Sequence, residues 1–560
     1  MWLGNLTRVT EILFGNNSFT GQIPSSLIYL KDLNFLGLKE NNIQGKIPIF
    51  FTNLTKPTAI HLSYSQLTGQ FAEFQFSDSL EFLSLDNNRL YGSIPKSISN
   101  LVNLSFLDMS SNDLNGTVDF NMFKKLKTLL YLNFRANLLH GVLPVPPSSM
   151  RNFLISNNRL SGEIPSSICN VTSIEIFDIS YNNLSGTIPS CLGNFSNSVV
   201  VMDLRRNNFY GTMPETFAEG NTLRTLVFNG NQLEGLLPKS LVYCKYLEVL
   251  DIGNNKVNDS FPYWLEDLPV LQVLILRSNK FNGQLDNFKT KSSFSLLRII
   301  DLSHNEFSGS LPTNFFKGLK AIKTTKESEG EVKYMEQGYY QDSVIVAMKG
   351  QSFVLERILT IFTTIDLSSN KFNGKIPEVI GMLNFLRGLN LSHNRLTGHI
   401  LSSLGHLSVL ESLDLSSNRL NGEIPMQLTS LTFLAVLNLS QNQLMGPIPQ
   451  GKQFGTLQNN SYGGNLGLCG FPLSKNCGID EQPPPPIFQE DNNPKFMSGF
   501  GWKAVLLGYG CGLVFGIAMG YFMFKIGKPQ CLLGLIEENR PRKLKMPSNQ
   551  RSRGSRNYSI

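Results

Sequence analysis

The chain offers little from which an enzyme could be built. Its 560 residues hold only 6 His, 7 Cys and 3 Trp, and charged residues make up 16%. His61, His140, His304, His393, His399 and His406 are scattered without ligand spacing, so no metal site and no cofactor is expected. The 47 glycines follow a repeat and do not form a phosphate loop. The formal charge of +7 is also not a property of the body of the chain. After Phe524 there are nine Lys or Arg against two Glu, which accounts for the whole excess. The rest is close to neutral, which argues against nucleic acid as a partner.

What is present is one phrase, Asn-x-Leu-x-Gly-x-Ile-Pro, as in NRLYGSIP from Asn88, NRLSGEIP from Asn158 and NRLNGEIP from Asn418. Aligning on the Gly gives 17 units, most of them 24 residues apart, with Asp259 in the Gly place of one. A fixed period of this length means a solenoid. In L-x-x-L-x-L-x-x-N the L-x-L core is a short strand whose leucines point inward. Stacked units therefore give a leucine-rich-repeat solenoid of α/β type, with a parallel sheet on the concave face and a mostly irregular or 3-10 convex side. The Asn, replaced only by Ser65, is expected to satisfy the backbone of its turn and of a neighbouring unit. The Ile-Pro tail ends pairing and sends the chain across the back. No unit can bury its leucines alone.

One step, from Gly309 to Gly374, is 65 residues long. It marks an island at 320–359, with Tyr334, Tyr339 and Tyr340 near Asp342 and Lys349. An insert of this size is functional or disordered; DSVIVAMKG within it looks like a strand and favours order. The chain then divides into repeats at 1–319 (13 units, the first incomplete), the island, repeats at 360–450 (four units) and a cysteine cap at 451–480. An acidic, proline-bearing juxtamembrane stretch at 481–503 leads to a transmembrane helix at 504–524 and a basic tail at 525–560.

The uncharged segment from Ala504 to Phe524 spans roughly 31 Å as a helix, enough for a bilayer. Lys525, Lys528 and the basic tail place its end in the cytosol and the repeats outside, as a single-pass type I plasma-membrane protein. Twelve N-x-S/T sequons precede the span, at Asn5, Asn16, Asn53, Asn103, Asn115, Asn170, Asn183, Asn194, Asn258, Asn390, Asn438 and Asn459, as in a secreted glycoprotein. In that oxidising compartment Cys469 and Cys477 are expected to close the end of the solenoid. Cys169 and Cys191 lie in adjacent units but two positions out of phase, and both pairing and free thiols stay open. Cys244 reads as buried and free. In the span, Gly508, Gly512, Gly516 and Gly520 fall on one helix face, where another helix can pack closely. Met1 falls inside a repeat, without a signal peptide or N-terminal cap, so an N-terminally truncated chain is expected.

This ordered set of features resembles the plant leucine-rich-repeat receptor-like proteins, the group that includes tomato resistance proteins against leaf mould. The shared features are the NxLxGxIP repeat, an island followed by four units, LCGFPLSKNC from Leu468, the acidic stretch, the glycine-rich span and the short basic tail. The resemblance implies a cell-surface receptor without a kinase of its own. Such a receptor senses an extracellular peptide, protein or glycan, derived from a pathogen or from damage, in immunity. It signals through an adaptor leucine-rich-repeat receptor kinase docked on the transmembrane glycines, and then a co-receptor kinase. A developmental receptor subunit, an enzyme-inhibitor-like solenoid and a non-functional truncated paralogue are the alternatives.

Function on this fold must come from exposed positions. The concave residues of the last four units are monotonous, whereas Tyr131, Arg135, Tyr181, Arg205, Arg206, Asp251 and Arg277 offer the aromatic and Arg side chains usual at interfaces. They are the expected ligand patch. The tyrosine cluster of the island and the last four units are the expected co-receptor surface. Glycosidase treatment of the membrane-bound protein should lower its apparent mass, and protease outside the cell should spare the tail. An unglycosylated, soluble cytosolic product would end this topology.

Overall fold

The computed structural model describes residues 6–49, 56–74, 77–118, 122–194, 198–285, 288, 294–324, 333–337, 340–348, 350–451 and 453–477. The transmembrane segment expected at 504–524 and its glycines lie outside them. Among the described residues no helix is long and apolar enough to cross a membrane.

Each repeat contributes one three-residue strand to a 17-stranded sheet in which neighbours in the repeat order pair in parallel. The register is constant from unit to unit: Leu36 faces Ile60, Ile60 faces Leu83, and Leu83 faces Leu107. This stacks the inward leucines into a continuous core; Leu36, Leu107, Leu226, Leu274 and Leu413 have no exposed surface. Most of the favourable free energy lies in that burial. The island does not interrupt it. Strand Ile299–Asp301 pairs directly with Thr364–Asp366, so the long insertion loops out of an unbroken sheet.

The asparagines lock the turns. Asn112 donates from its side-chain amide to the carbonyls of Met109 and Ser110 in its own turn, at 3.2 and 3.1 Å, and to Leu85 of the preceding unit, at 3.1 Å. Its carbonyl accepts the N–H of Leu90, also of the preceding unit, at 3.0 Å. The neighbour served is thus the unit before. The geometry forces the residue ahead of each Asn into the left-handed region. In fifteen units a non-glycine residue sits there at φ between 51° and 56°, from Asn16 to Gln441, Gly230 holds the place ahead of Asn231, and Tyr64 takes the same conformation ahead of Ser65. That conformation costs roughly 1–2 kcal/mol for an L-residue, and the ladder offsets it.

The convex side carries more order than the sequence suggests. The Leu-x-Gly step forms a second set of parallel strands, ten from Thr20–Gly21 to Gln232–Glu234 and seven from Asn282–Gln284 to Gly467–Cys469. Its glycines need positive φ; at Gly186 (φ 85°) a Cβ would also lie 2.6 Å from Glu163 Cγ. The interruption falls at the unit with Asp259, which does not take the left-handed conformation. After Pro24, Pro95, Pro165, Pro238, Pro377 and Pro425 the chain enters five-residue 3-10 helices, each burying one apolar side chain such as Leu27 or Ile98, except the helix after Pro377, which buries Val379 and Ile380. Cys469–Cys477 and Cys169–Cys191 both form disulfides, with Cα atoms 5.0 and 5.9 Å apart, and Cys244 is buried and free.

Replacing Asn112 by Ala removes four hydrogen bonds from a site only 8% exposed. It should destabilise the surrounding repeats by about 2–4 kcal/mol. Changing Ser65, whose buried hydroxyl has no hydrogen-bond partner among the described residues, to Asn should stabilise its turn by about 1 kcal/mol. Hydrogen exchange resolved by repeat would test both, since solenoid stability is largely nearest-neighbour. Uniform effects along the chain, or no loss at Asn112, would contradict the ladder.

Candidate ligand surface on the concave face

The concave face of units 8 to 13 is apolar at positions that should meet water. Ile176, Val201, Val249, Val273, Ile275 and Ile299 are all buried there. The island covers them. Lys320–Lys323 is a short helix belonging to the solenoid, with Ile322 in the core. Beyond it, Tyr334–Gln337 pairs antiparallel with Tyr340–Gln341 and with Ile358–Leu359, and Val344–Met348 forms a hairpin with Gln351–Leu355. The strand expected in DSVIVAMKG is therefore present. Met335, Val344, Val346 and Ile358 pack on Val227, Val249, Val273, Ile275 and Ile299. Tyr340 packs on Tyr131, Leu154, Ile176 and Val201.

Polar contacts fix the register of this lid. Tyr340 donates its hydroxyl to Asp203 at 2.7 Å, and Thr225 donates to Asp342 at 2.7 Å. Arg205 chelates Asp203 through Nε, at 2.9 and 2.8 Å, and reaches the Ser343 carbonyl with another nitrogen at 2.8 Å. Arg135 holds Asp178 at 2.7 Å and lies over the Tyr340 ring, 5.1 Å from its centroid. Asp251, beneath, accepts from Asn229 at 2.8 Å. Desolvation pushes the carboxyls of Asp342 and Asp251 up to about 6; for Asp251 the nearby Arg205 works against that rise. Where the island leaves the sheet, Asp301 and Asp366 stand side by side, and burial followed by the neighbouring carboxyl pushes Asp366 up to about 7.

The expected ligand residues thus separate into two groups. Tyr131, Arg135, Arg205 and Asp251 are gathered under or against the island. Tyr181 and Arg206 stay exposed in the left-handed turns after their strands. Arg277 is half-buried and faces Asp301 at 3.5 Å. In the island, Tyr334 stacks with Arg357, 4.0 Å from the ring centroid, and Tyr340 and Asp342 are buried; Tyr339 and Lys349 lie outside the described residues. The run of β-branched residues at concave positions was the available sign of a cover.

Towards the N-terminus the concave face is different. Phe35, His61, Phe82, Phe106 and Tyr131 stack one on the next across five units. The last three intervals are 4.1, 4.1 and 4.2 Å between ring centroids, with planes within 14°. Strand register places Phe35, Phe82, Phe106 and Tyr131 in one row, and His61 leans into the space above the small Ala59. No pattern within a single unit marks this row, because each unit supplies one ring.

Two family descriptions, both of the leucine-rich repeat, match this chain, one at residues 222–281 and the other at seven stretches between 79 and 431. Receptor-like protein 33 of Arabidopsis thaliana is 44% identical over 411 residues, 73% of this chain and 46% of the relative. Receptor-like protein 6 of the same plant is 45% identical over 537 residues, 92% of this chain and 53% of the relative. Receptor-like protein 9DC3 of Solanum pimpinellifolium is 57% identical over 240 residues, 42% of this chain and 28% of the relative. The chain spans about half the length of the first two of these relatives. Among solved structures, the plant peptide hormone receptor RGFR1 in complex with RGF2 superposes with a TM-score of 0.69 at 27% identity, covering 83% of this chain and 72% of that one. The Arabidopsis receptor kinase HAESA, in complex with the peptide hormone IDA and the co-receptor SERK1, gives 0.58 at 26% identity, covering 83% and 79%.

The lid should respond to pH. Asp342 titrates near 6 when docked and near its ordinary value, about 4, when exposed. A raised carboxyl contributes stability that is complete below about pH 4 and lost as pH rises through 6. Docking should therefore be tighter at pH 5 than at pH 8, by about 1.4 kcal/mol, since part of the effect is already lost between pH 4 and 5. Hydrogen exchange of Val344–Met348, corrected for intrinsic rates, should be slower at pH 5, and Asp342→Asn should flatten the difference. Equal protection at both pH values would contradict the burial of this carboxyl.

Proposed function

We infer from this chain's homology to the plant leucine-rich-repeat receptor-like proteins that it is a ligand-sensing receptor subunit with its repeats outside the cell. The observation that carries this reading is the similarity to a receptor-like protein across 92% of the chain. That is more than residues 1–480, the repeats and cap, supply. The peptide-bound receptor ectodomains with the same solenoid support a peptide as the ligand class. The presence of a co-receptor in one of them supports ligand-dependent recruitment of a kinase. On this reading the protein has no enzymatic role. It is anchored by 504–524, docks an adaptor kinase through Gly508, Gly512, Gly516 and Gly520, and acts in immunity.

The island and the last four units form the co-receptor surface in this scheme. Phe353 and Val354, on opposite faces of the outer hairpin strand, are 41% and 56% exposed, two apolar side chains that a partner gripping this strand would cover. Excising 320–359 would be an ambiguous test, because it would bare Val249, Val273, Ile275 and Ile299.

Two substitution sets separate the steps. Changing the four glycines to Leu keeps the span apolar but removes close packing worth on the order of 1–2 kcal/mol. It should lower co-precipitation with the adaptor kinase. Phe353→Ser with Val354→Ser should leave that association intact and lower ligand-induced recruitment of the co-receptor, at unchanged surface level. Normal recruitment and output in both would overturn the receptor reading as stated.

A further inference from the structure

The island covers the middle of the concave face, so what remains open towards the N-terminus is the aromatic row. Five stacked units separate Phe35 from Tyr131 by four strand intervals, about 19 Å, which an extended chain of about six residues would match. The row ends on Tyr131, against which Tyr340 of the island already packs. Open row and covered strip are one continuous apolar track, of which the island occupies one end.

The chemistry of the open end selects its occupant. Stacked rings spend their faces on one another and leave their edges free. Ring edges carry positive potential and favour the face of an incoming ring, edge to face. A sugar, which stacks on ring faces, finds them taken. Beside the rings lie Asp86 and Asp108, each about 9% exposed: Asp108 accepts from the Tyr131 hydroxyl at 3.4 Å, and His61 feels both Lys39 and Asp86. Asp86 accepts from Ser84 at 2.7 Å and Asn87 at 2.9 Å, and Asp108 from Ser110 at 2.7 Å and Asn133 at 2.9 Å. Desolvation and then the Asp86 charge push the Asp108 carboxyl up, a cost that a cation would relieve.

We propose that the open rings of the row, Phe35 to Phe106, are the docking surface for an extended peptide of about six residues carrying aromatic side chains and Lys or Arg, seated end to end with the island where it covers Tyr131. This deepens the receptor reading by naming a ligand chemistry, and it rests on that reading for its biological meaning only.

The full chain in detergent is titrated with a synthetic hexapeptide, Lys-Phe-Lys-Tyr-Lys-Phe, with its counterpart bearing Glu for each Lys, and with a chitin hexasaccharide. The Lys peptide should bind at least tenfold tighter than the Glu peptide, and the sugar should not compete. Phe82→Ser with Phe106→Ser should weaken the Lys peptide at least tenfold. Asp86→Asn with Asp108→Asn should erase the preference between the peptides. A Lys peptide with benzoylphenylalanine in place of one Phe keeps the test independent of variant folding. On the unaltered protein its crosslinks should fall between residues 35 and 131. Crosslinks elsewhere, equal binding of the Glu peptide, or competition by the sugar would overturn the proposal. A row that binds the peptide in a protein that recruits no kinase would sink the receptor reading and leave this one standing.

Discussion

Each turn of this solenoid, except the one ahead of Ser65, is closed by an amide that belongs to the unit after it. Asn112 completes the turn that holds Leu85 and Leu90, and Asn137 in the same way serves Met109 and Leu114. Backbone groups in a buried turn must be paired, and wherever the Asn is present the partner is supplied by the neighbour. A lone unit therefore lacks both a covered core and a satisfied turn. The same arrangement explains the left-handed residue ahead of every Asn. Tyr181, Arg206 and His304 hold a conformation that their own chemistry disfavours, because leaving the amide unpaired costs more. It also explains how the island is accommodated. The ladder runs from Phe307 to Asn370 across the insertion with an unchanged 3.1 Å bond, so the extra residues leave and return without disturbing the stack.

With the scaffold so constrained, variation is confined to the concave surface, and there the chain carries two different surfaces. In the middle units β-branched residues make a dry seat for Met335, Val344 and Ile358. In the early units the same register positions hold rings. The Arg and Asp residues at the seam, Arg135, Asp178, Asp203 and Arg205, are spent on orienting Tyr340 and Ser343. Buried ion pairs contribute little net stability but fix one arrangement over others, which is what a lid on a flat sheet requires. The surface left for a partner is narrower than the whole inner face.

Much of this was legible beforehand because the repeat is a one-dimensional code. The period fixes the strand, the Asn turn and the Pro that starts the 3-10 helix; the break in period locates the island; and two of the cysteines fall directly after the last unit. Those features depend on contacts between residues a constant distance apart, which a sequence displays directly. The second parallel sheet was harder to read. Its strands are two to five residues long, and its signal, a Gly at positive φ, looks like a turn until neighbouring units are stacked.

What the sequence determined by itself was the solenoid, its unit count and its resemblance to a receptor. Only the tertiary structure decided which concave residues are free. Tyr131, Arg205 and Asp251 read as exposed anchors because local pattern places them on the inner face. All three are buried, Tyr131 and Arg205 because Tyr340 and Ser343, more than 130 positions away, fold back onto them. The aromatic row was hidden for the complementary reason. Phe35, Phe82 and Phe106 are unremarked single residues in their own units, and with Tyr131 they become one surface only when a constant register brings them within about 4 to 5 Å of each other or of His61.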